Sequence, residues 1–178
     1  MTDRKPFAGR LALVTGASRG IGAATAEALA EAGAHVILVA RTSSALEEVE
    51  EGIHQAGGSA TIAPLDLTQG EAIGKLAGAV AERWEKLDIL VLNAAMLGSL
   101  SPVQDIDPKE YSRILSVNLL ANQALVAAFD PLLKNANQAD IVALRTKQQR
   151  LPEAFARKHD QELEDLVNLL LKLEPEPA

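Results

Sequence analysis

Leu11-Ala12-Leu13-Val14-Thr15-Gly16-Ala17-Ser18-Arg19-Gly20-Ile21-Gly22 is the stretch on which the fold turns. A short apolar run leads straight into a turn rich in glycine, and a helical pattern follows at once. Each glycine has its own physical reason. Gly16 allows the chain to turn tightly off a strand. Gly20 leaves space for a ligand to approach the backbone, where a side chain would fill that space. Gly22 permits close packing of helix on strand. A helix starting here aims free N–H groups and the positive end of its dipole at the turn, an arrangement that holds phosphate. Strand, glycine turn and helix in that order point to a dinucleotide site.

The same alternation continues outward. Apolar runs at 11–14, 35–40, 60–63, 87–92 and 139–144 read as buried strands, and helical periodicity fills 21–32, 43–55, 69–84 and 108–134. Continuous apolar strands alternating with helices predict a parallel sheet covered on both faces. Right-handed crossovers then give an α/β fold, a three-layer doubly wound sheet in the order 3-2-1-4-5. Punctuation agrees with these segments. Gly33 suits a left-handed cap after the first helix, as does Gly57-Gly58 after the second. Ser43 or Ser44 is expected to cap the second helix, with Glu47 completing a capping box. Asp107-Pro108 sets a capping acid before a proline at the first helical position.

Composition narrows the function classes. With 178 residues there is room for one domain and a short appendage, and 48% hydrophobic content supplies a core. Aromatics are only 3%, so that core is aliphatic. A net charge of −7 argues against nucleic acid as the main partner. The chain has no cysteine, which removes disulfides, thiolate metal sites and cysteine nucleophiles. His35, His54 and His159 are far apart and show no ligand spacing, so no metal is expected. No signal-peptide pattern follows Met1 and no run of 18 apolar residues occurs. The expectation is a cytoplasmic protein without a membrane partner.

Four separated elements carry a family resemblance. They are the loop Thr15-Gly16-Ala17-Ser18-Arg19-Gly20-Ile21-Gly22, Asp66 within Leu65-Asp66-Leu67-Thr68, Asn93-Ala94-Ala95, and Ser116-Val117-Asn118. Together, from about Leu11 to about Leu144, the chain resembles the short-chain dehydrogenase/reductase family. The resemblance implies a nicotinamide dinucleotide as cofactor. It implies phosphate contacts from Gly16, Ser18, Arg19, Gly20, Ile21 and Gly22. It implies an adenine contact from Asp66, with Leu67 beside it, and a nicotinamide-side wall from Asn93, Ala94 and Ala95. Family members that prefer NAD carry an acid at the end of the second strand. Ala40 stands there instead, followed by Arg41, and a guanidinium can pair with a 2′-phosphate. NADP is therefore expected over NAD, with Arg19 as a second cation.

The resemblance also implies chemistry: hydride transfer to or from a carbonyl carbon, with a Tyr as acid or base and a Lys four positions on to lower its pKa. Asn118 matches the family's catalytic Asn. The remainder of that set is not found. Tyr111 is the single tyrosine, it precedes Asn118, and Leu115 stands four positions after it. Tyr111 is expected to pack at the start of the long helix. After the fifth strand comes Arg145-Thr146, not a serine.

Past that strand, Pro152 interrupts a polar basic stretch. Leu163, Leu166, Val167, Leu170 and Leu173 then recur at helical spacing within 160–173. The expected division is a nucleotide-binding domain over 1–146 and a helical extension over 147–178. The leucine stripe is expected to cover apolar surface left on Ala121–Phe129, in its own chain or in a partner, with a homo-oligomer through helices 108–134 and 160–173 as one outcome. The expected function is NADP(H) binding with oxidoreductase ancestry, in a truncated chain lacking the catalytic Tyr and Lys. Two alternatives stay open: an oxidoreductase that draws its acid from elsewhere, and a non-catalytic scaffold.

Overall fold

A computed structural model describes residues 5–143. The apolar runs form five parallel strands: β1 (Leu11–Thr15), β2 (His35–Ala40), β3 (Ser59–Pro64), β4 (Ile89–Leu92) and β5 (Asp140–Ala143). They lie side by side in the order β3-β2-β1-β4-β5, as the alternation predicted. Every neighbouring pair is parallel, with Leu13 opposite Ile37 on one side and Leu90 on the other. The central strands are buried along their whole length, as strands covered on both faces must be.

The helices are α1 (Gly20–Glu31), α2 (Ser43–Gln55), α3 (Gly70–Arg83), α4 (Pro108–Leu115) and α5 (Ala121–Lys134). Alternate residues of each strand feed two cores. Ala12, Val14, Val36, Leu38 and Val91 meet Ala26, Leu29, Leu46 and Ile53 of α1 and α2. Leu13, Ile37, Val39 and Leu90 meet Ile73 and Val80 of α3 and Leu125 and Phe129 of α5. Small alanines on α1 let that helix lie close to the sheet, which suits an aliphatic interior.

Helix boundaries follow local chemistry. Gly33 and Gly57 take positive φ, +101° and +77°, just past α1 and α2, in the capping role expected of them. Asp107 accepts a hydrogen bond from the Lys109 N–H and Pro108 occupies the first turn of α4, also as expected. The cap of α2 differs. Thr42 is its N-cap and no side chain caps it; Ser43 Oγ instead donates to Glu47 Oε1 at 3.0 Å. Ser43 already lies inside the helix, where the side chain four positions on is its nearest partner.

Between α4 and α5 the helix widens into a π-helical turn, Ser116–Leu120, which contains Asn118. Pro108–Lys134 is thus one continuous helix, long and apolar enough by length and composition to cross a membrane. Ala121, Leu125, Phe129, Leu132 and Leu133 face the sheet and are buried there, so the apolar residues of Ala121–Phe129, expected to be left uncovered, are covered by the sheet itself. Tyr111, expected to pack at its start, is 52% exposed, because α4 stands clear of the sheet that α5 covers. The boundary at 146, the 147–178 extension and the 160–173 stripe lie outside the described residues.

Candidate functional site

Parallel strands bring their carboxyl ends to one edge of the sheet, and the crevice there is the natural place for a ligand. Thr15 closes β1 at that edge and is wholly buried. Its hydroxyl donates to the Val91 carbonyl at 3.1 Å and accepts the N–H groups of Asn93 and Ala94 at 3.0 and 3.1 Å. Asn93 Nδ2 answers by donating to the Thr15 carbonyl at 2.9 Å and, at 3.3 Å, to that of Gly16. These bonds lock the end of β4 to the first turn. Thr15 was not singled out as a site residue, although a lone hydroxyl ending an apolar strand is a readable signal.

The glycine turn has the steric logic expected of it. Gly16 has φ +67°, and a Cβ there would lie 2.8 Å from Asn93 Nδ2. A Cβ on Gly22 would overlap the Gly16 carbonyl oxygen and Asn93 Nδ2. Gly20 has φ +56° and would meet no protein atom within 4 Å, so its side faces open space. The N-cap of α1 is Arg19, with φ −170°, and no side chain caps the helix. Its first N–H groups are left for a ligand.

That open space is a cavity of ≈ 650 Å³. Gly16, Ser18, Arg19, Gly20, Ile21 and Gly22 form its floor. Ala40, Arg41, Thr42 and Ala45 line one side, and Leu65, Asp66 and Leu67 continue the wall. Asn93, Ala94, Ala95, Met96 and Val117 complete it. All the residues expected to touch a cofactor therefore meet around one space. Ala40 is the neutral residue expected at the ribose end, and Leu65 and Val117 stand inside quoted motifs without having been assigned a contact; Thr42, Ala45 and Met96 carry no motif and arrive through the fold alone. A second, shallower groove of ≈ 830 Å³ runs between α3 and α5, lined by small residues such as Gly74, Gly78 and Ala128.

Charge within the cavity is arranged asymmetrically. Arg19 and Arg41 stand exposed on its wall. Asp66 Oδ1 accepts the Thr68 N–H at 3.0 Å and the Thr68 hydroxyl at 2.8 Å. The backbone bond, then the hydroxyl bond, hold the Asp66 carboxyl below its usual pKa, with Arg41 and Arg113 adding in the same direction against a small cost of burial. Asp66 thus stabilises the turn before α3, whose N-cap is Gln69.

Asn118 does not line the cavity. Its Oδ1 accepts the Met96 N–H and its Nδ2 donates to the Met96 carbonyl, both at 2.8 Å. This two-point clamp ties the wall to the π-helical turn, and such turns are frequent at functional sites. Ser99 adds a second tie, donating from its N–H and its hydroxyl to Glu110 Oε1, each at 2.9 Å. Among the described residues, no tyrosine or lysine lines the cavity.

The fold and this crevice define a doubly wound α/β protein of the dinucleotide-binding type. Residues 10–156 match the short chain dehydrogenase family, and the chain belongs to it. Among curated proteins, a fatty acyl-CoA reductase of Acinetobacter baylyi is 48% identical over 91 residues, covering 51% of this chain and 31% of that one. Versicolorin reductase 1 of Aspergillus parasiticus is 40% identical over 119 residues, covering 66% of this chain and 45% of that one. The chain thus spans less than half the length of these two relatives. Among solved structures, a metagenomic short-chain oxidoreductase in complex with NADP superimposes with a TM-score of 0.83 at 29% identity, covering 95% of this chain and 93% of that one. Structural neighbours in the family have been solved with NADP or NADPH bound.

Proposed function

We propose that this chain binds NADP(H) in the ≈ 650 Å³ cavity and, with its own residues alone, does not carry out the family's usual carbonyl–alcohol hydride transfer. The observation that carries the first half is the uncapped start of α1, opening on a cavity whose wall holds Arg19 and Arg41. The diphosphate would take the N–H groups of Gly20, Ile21 and Gly22, where Gly20 leaves the space open. The 2′-phosphate would lie between Arg19 and Arg41, opposite the neutral Ala40. Asp66, kept ionised by Thr68, is suited to accept from the adenine amino group. Asn93, Ala94 and Ala95 would border the nicotinamide side.

When bound, the cofactor supplies or accepts a hydride. The chain's contribution would be to orient it and to hold the wall still through Asn118 and Met96. What supports the second half is the lining, which among the described residues offers neither a phenol to move the hydroxyl proton nor an ammonium to tune it.

Calorimetry with NADPH and NADH tests the first half, and cofactor oxidation with a panel of small carbonyl compounds tests the second. We expect NADPH to bind more tightly than NADH, with no turnover. Arg41→Ala should raise the NADPH Kd by roughly tenfold or more, the loss of a charge-assisted contact, and leave NADH unchanged. Equal loss for both cofactors would remove the 2′-phosphate role. Turnover above the free-solution rate would overturn the second half.

A further inference from the structure

Tyr111, Leu115 and Leu119 follow one another at four-residue intervals along α4 and into the π-helical turn, and they are 52%, 39% and 60% exposed. Side chains four apart on a helix are neighbours, so these three form a continuous apolar stripe. It is not the face that meets the sheet, which is carried by Val117, Ala121, Leu125 and Phe129. Three large apolar groups in a row on an open helix face mark a contact surface rather than scattered surface leucines.

We infer that this stripe is the docking surface for residues 160–173 of the same chain. The first argument is pattern. Leu163, Leu166, Val167, Leu170 and Leu173 fall at helical spacing. At ~1.5 Å per residue their stripe and the one on α4 would each span on the order of 12–15 Å. An isolated helix of that length is marginal in water and needs a surface to lie on.

The second argument is reach. Described structure ends at Ala143, at the carboxyl end of β5. Because β5 runs parallel to β4, that is the edge where β4 hands over to the loop leading into α4. Residues 144–159 can extend to on the order of 50 Å, several times the ~14 Å radius of gyration of a domain this size. The third is charge. Asp160, Glu162, Glu164 and Asp165 crowd the start of the segment, and Lys109 in the first turn of α4 and Arg113 in its last turn are exposed. Glu110, between them, is already engaged by Ser99. A parallel alignment brings acids to bases and Leu170 near Leu119.

The absence of cysteine makes the test clean. Two variants of the full chain, Leu119→Cys/Leu170→Cys and Leu119→Cys/Leu166→Cys, are treated in dilute solution with a short bis-maleimide. At least one pair should link within a single chain, giving a monomer with no free thiol. Links between chains would assign the stripe to a second copy and overturn the proposal, as would free thiols in both variants. A second measurement does not depend on register. The thiol introduced by Leu119→Cys should label roughly tenfold faster once Leu166→Glu and Leu170→Glu are added, because a covered thiol is shielded from reagent. An unchanged rate overturns the proposal. NADPH affinity should stay constant throughout, which separates this result from any failure of the binding reading.

Discussion

β4 and β5 are neighbours of equal length, paired residue for residue, and they have different fates. Every residue of β4 is buried, whereas β5 alternates between half-buried and exposed. Leu90 and Ile141 are opposite one another on the same face, yet Leu90 is fully buried and Ile141 is 49% exposed. The chemistry of the two side chains is nearly the same. What differs is cover: α3 and α5 close over β1 and β4, whereas of β5 only Val142 packs, and only partly, against the core on the α1 and α2 side. Burial in this molecule is decided by the layer above a strand, not by the strand's own sequence. The phosphate corner lies in the covered part, and the exposed stripe of α4 lies in the open part.

The sharpest break of that contrast is a pair of truncations. Leu90→Ala removes methyl groups from a closed interior and should cost about 2–5 kcal/mol, read as a drop in the urea midpoint. Ile141→Ala leaves a site already open to solvent and should cost about 1 kcal/mol or less. Equal costs would mean that β5 is covered in solution and that the contrast is false.

Thr15→Val comes next. It keeps shape at the buried end of β1 and deletes the acceptor for Asn93 N–H and Ala94 N–H, together with the donor to Val91. Stranding such groups costs about 1–3 kcal/mol. Because those N–H groups shape the cavity wall, NADPH affinity should fall along with stability. A variant that loses neither would show that the network is incidental.

Much of the covered part is legible in the sequence. β2 and α2 begin and end where apolar runs and helical periodicity put them, since both are flanked by clear turn residues. β4 was expected to start at 87 but starts at Ile89. Leu87 is buried, yet its N–H goes to the Leu132 carbonyl of α5 rather than into the ladder, and apolarity alone cannot tell those two fates apart. The π-helical turn at Ser116–Leu120 was not legible at all. Nothing in Ser-Val-Asn-Leu-Leu breaks a helix; its partner, the Met96 backbone clamped by Asn118, is remote in sequence. The cavity's motif residues were legible because glycine, acid and base each have a steric or electrostatic reason to be there. Met96 reaches it through long-range packing, which leaves no local mark.

The covered part still carries a flaw that can be repaired. Thr25 is wholly buried on α1, and its hydroxyl has no partner among the described residues. Thr25→Val keeps the branched shape and removes the stranded group. It should raise stability by about 1 kcal/mol, seen as a higher urea midpoint with NADPH binding unchanged. A loss of stability would mean that a water or a shifted backbone carbonyl satisfies the hydroxyl.

The smallest effect concerns His35, at the opposite edge of the sheet from the cavity. Its Nδ1 lies 2.6 Å from Ser59 Oγ and its Nε2 2.9 Å from Thr61 Oγ1, with the Trp84 ring 5.3 Å away. Burial, first, and then the positive charges of Arg83 and His54 lower its pKa from the usual 6.5, with Glu50 opposing weakly. The unfolded chain therefore binds this proton at a higher pH than the native chain. The stabilising contribution of a neutral His35 is complete above about pH 6.5 and fades as pH falls through the lower native value. Urea midpoints measured from pH 7.5 down to 5.5 should decline for the parent chain and decline less steeply for His35→Gln. Gln keeps one donor and one acceptor for the two hydroxyls and takes up no proton in that range. Identical slopes for the two chains would assign the decline to other groups.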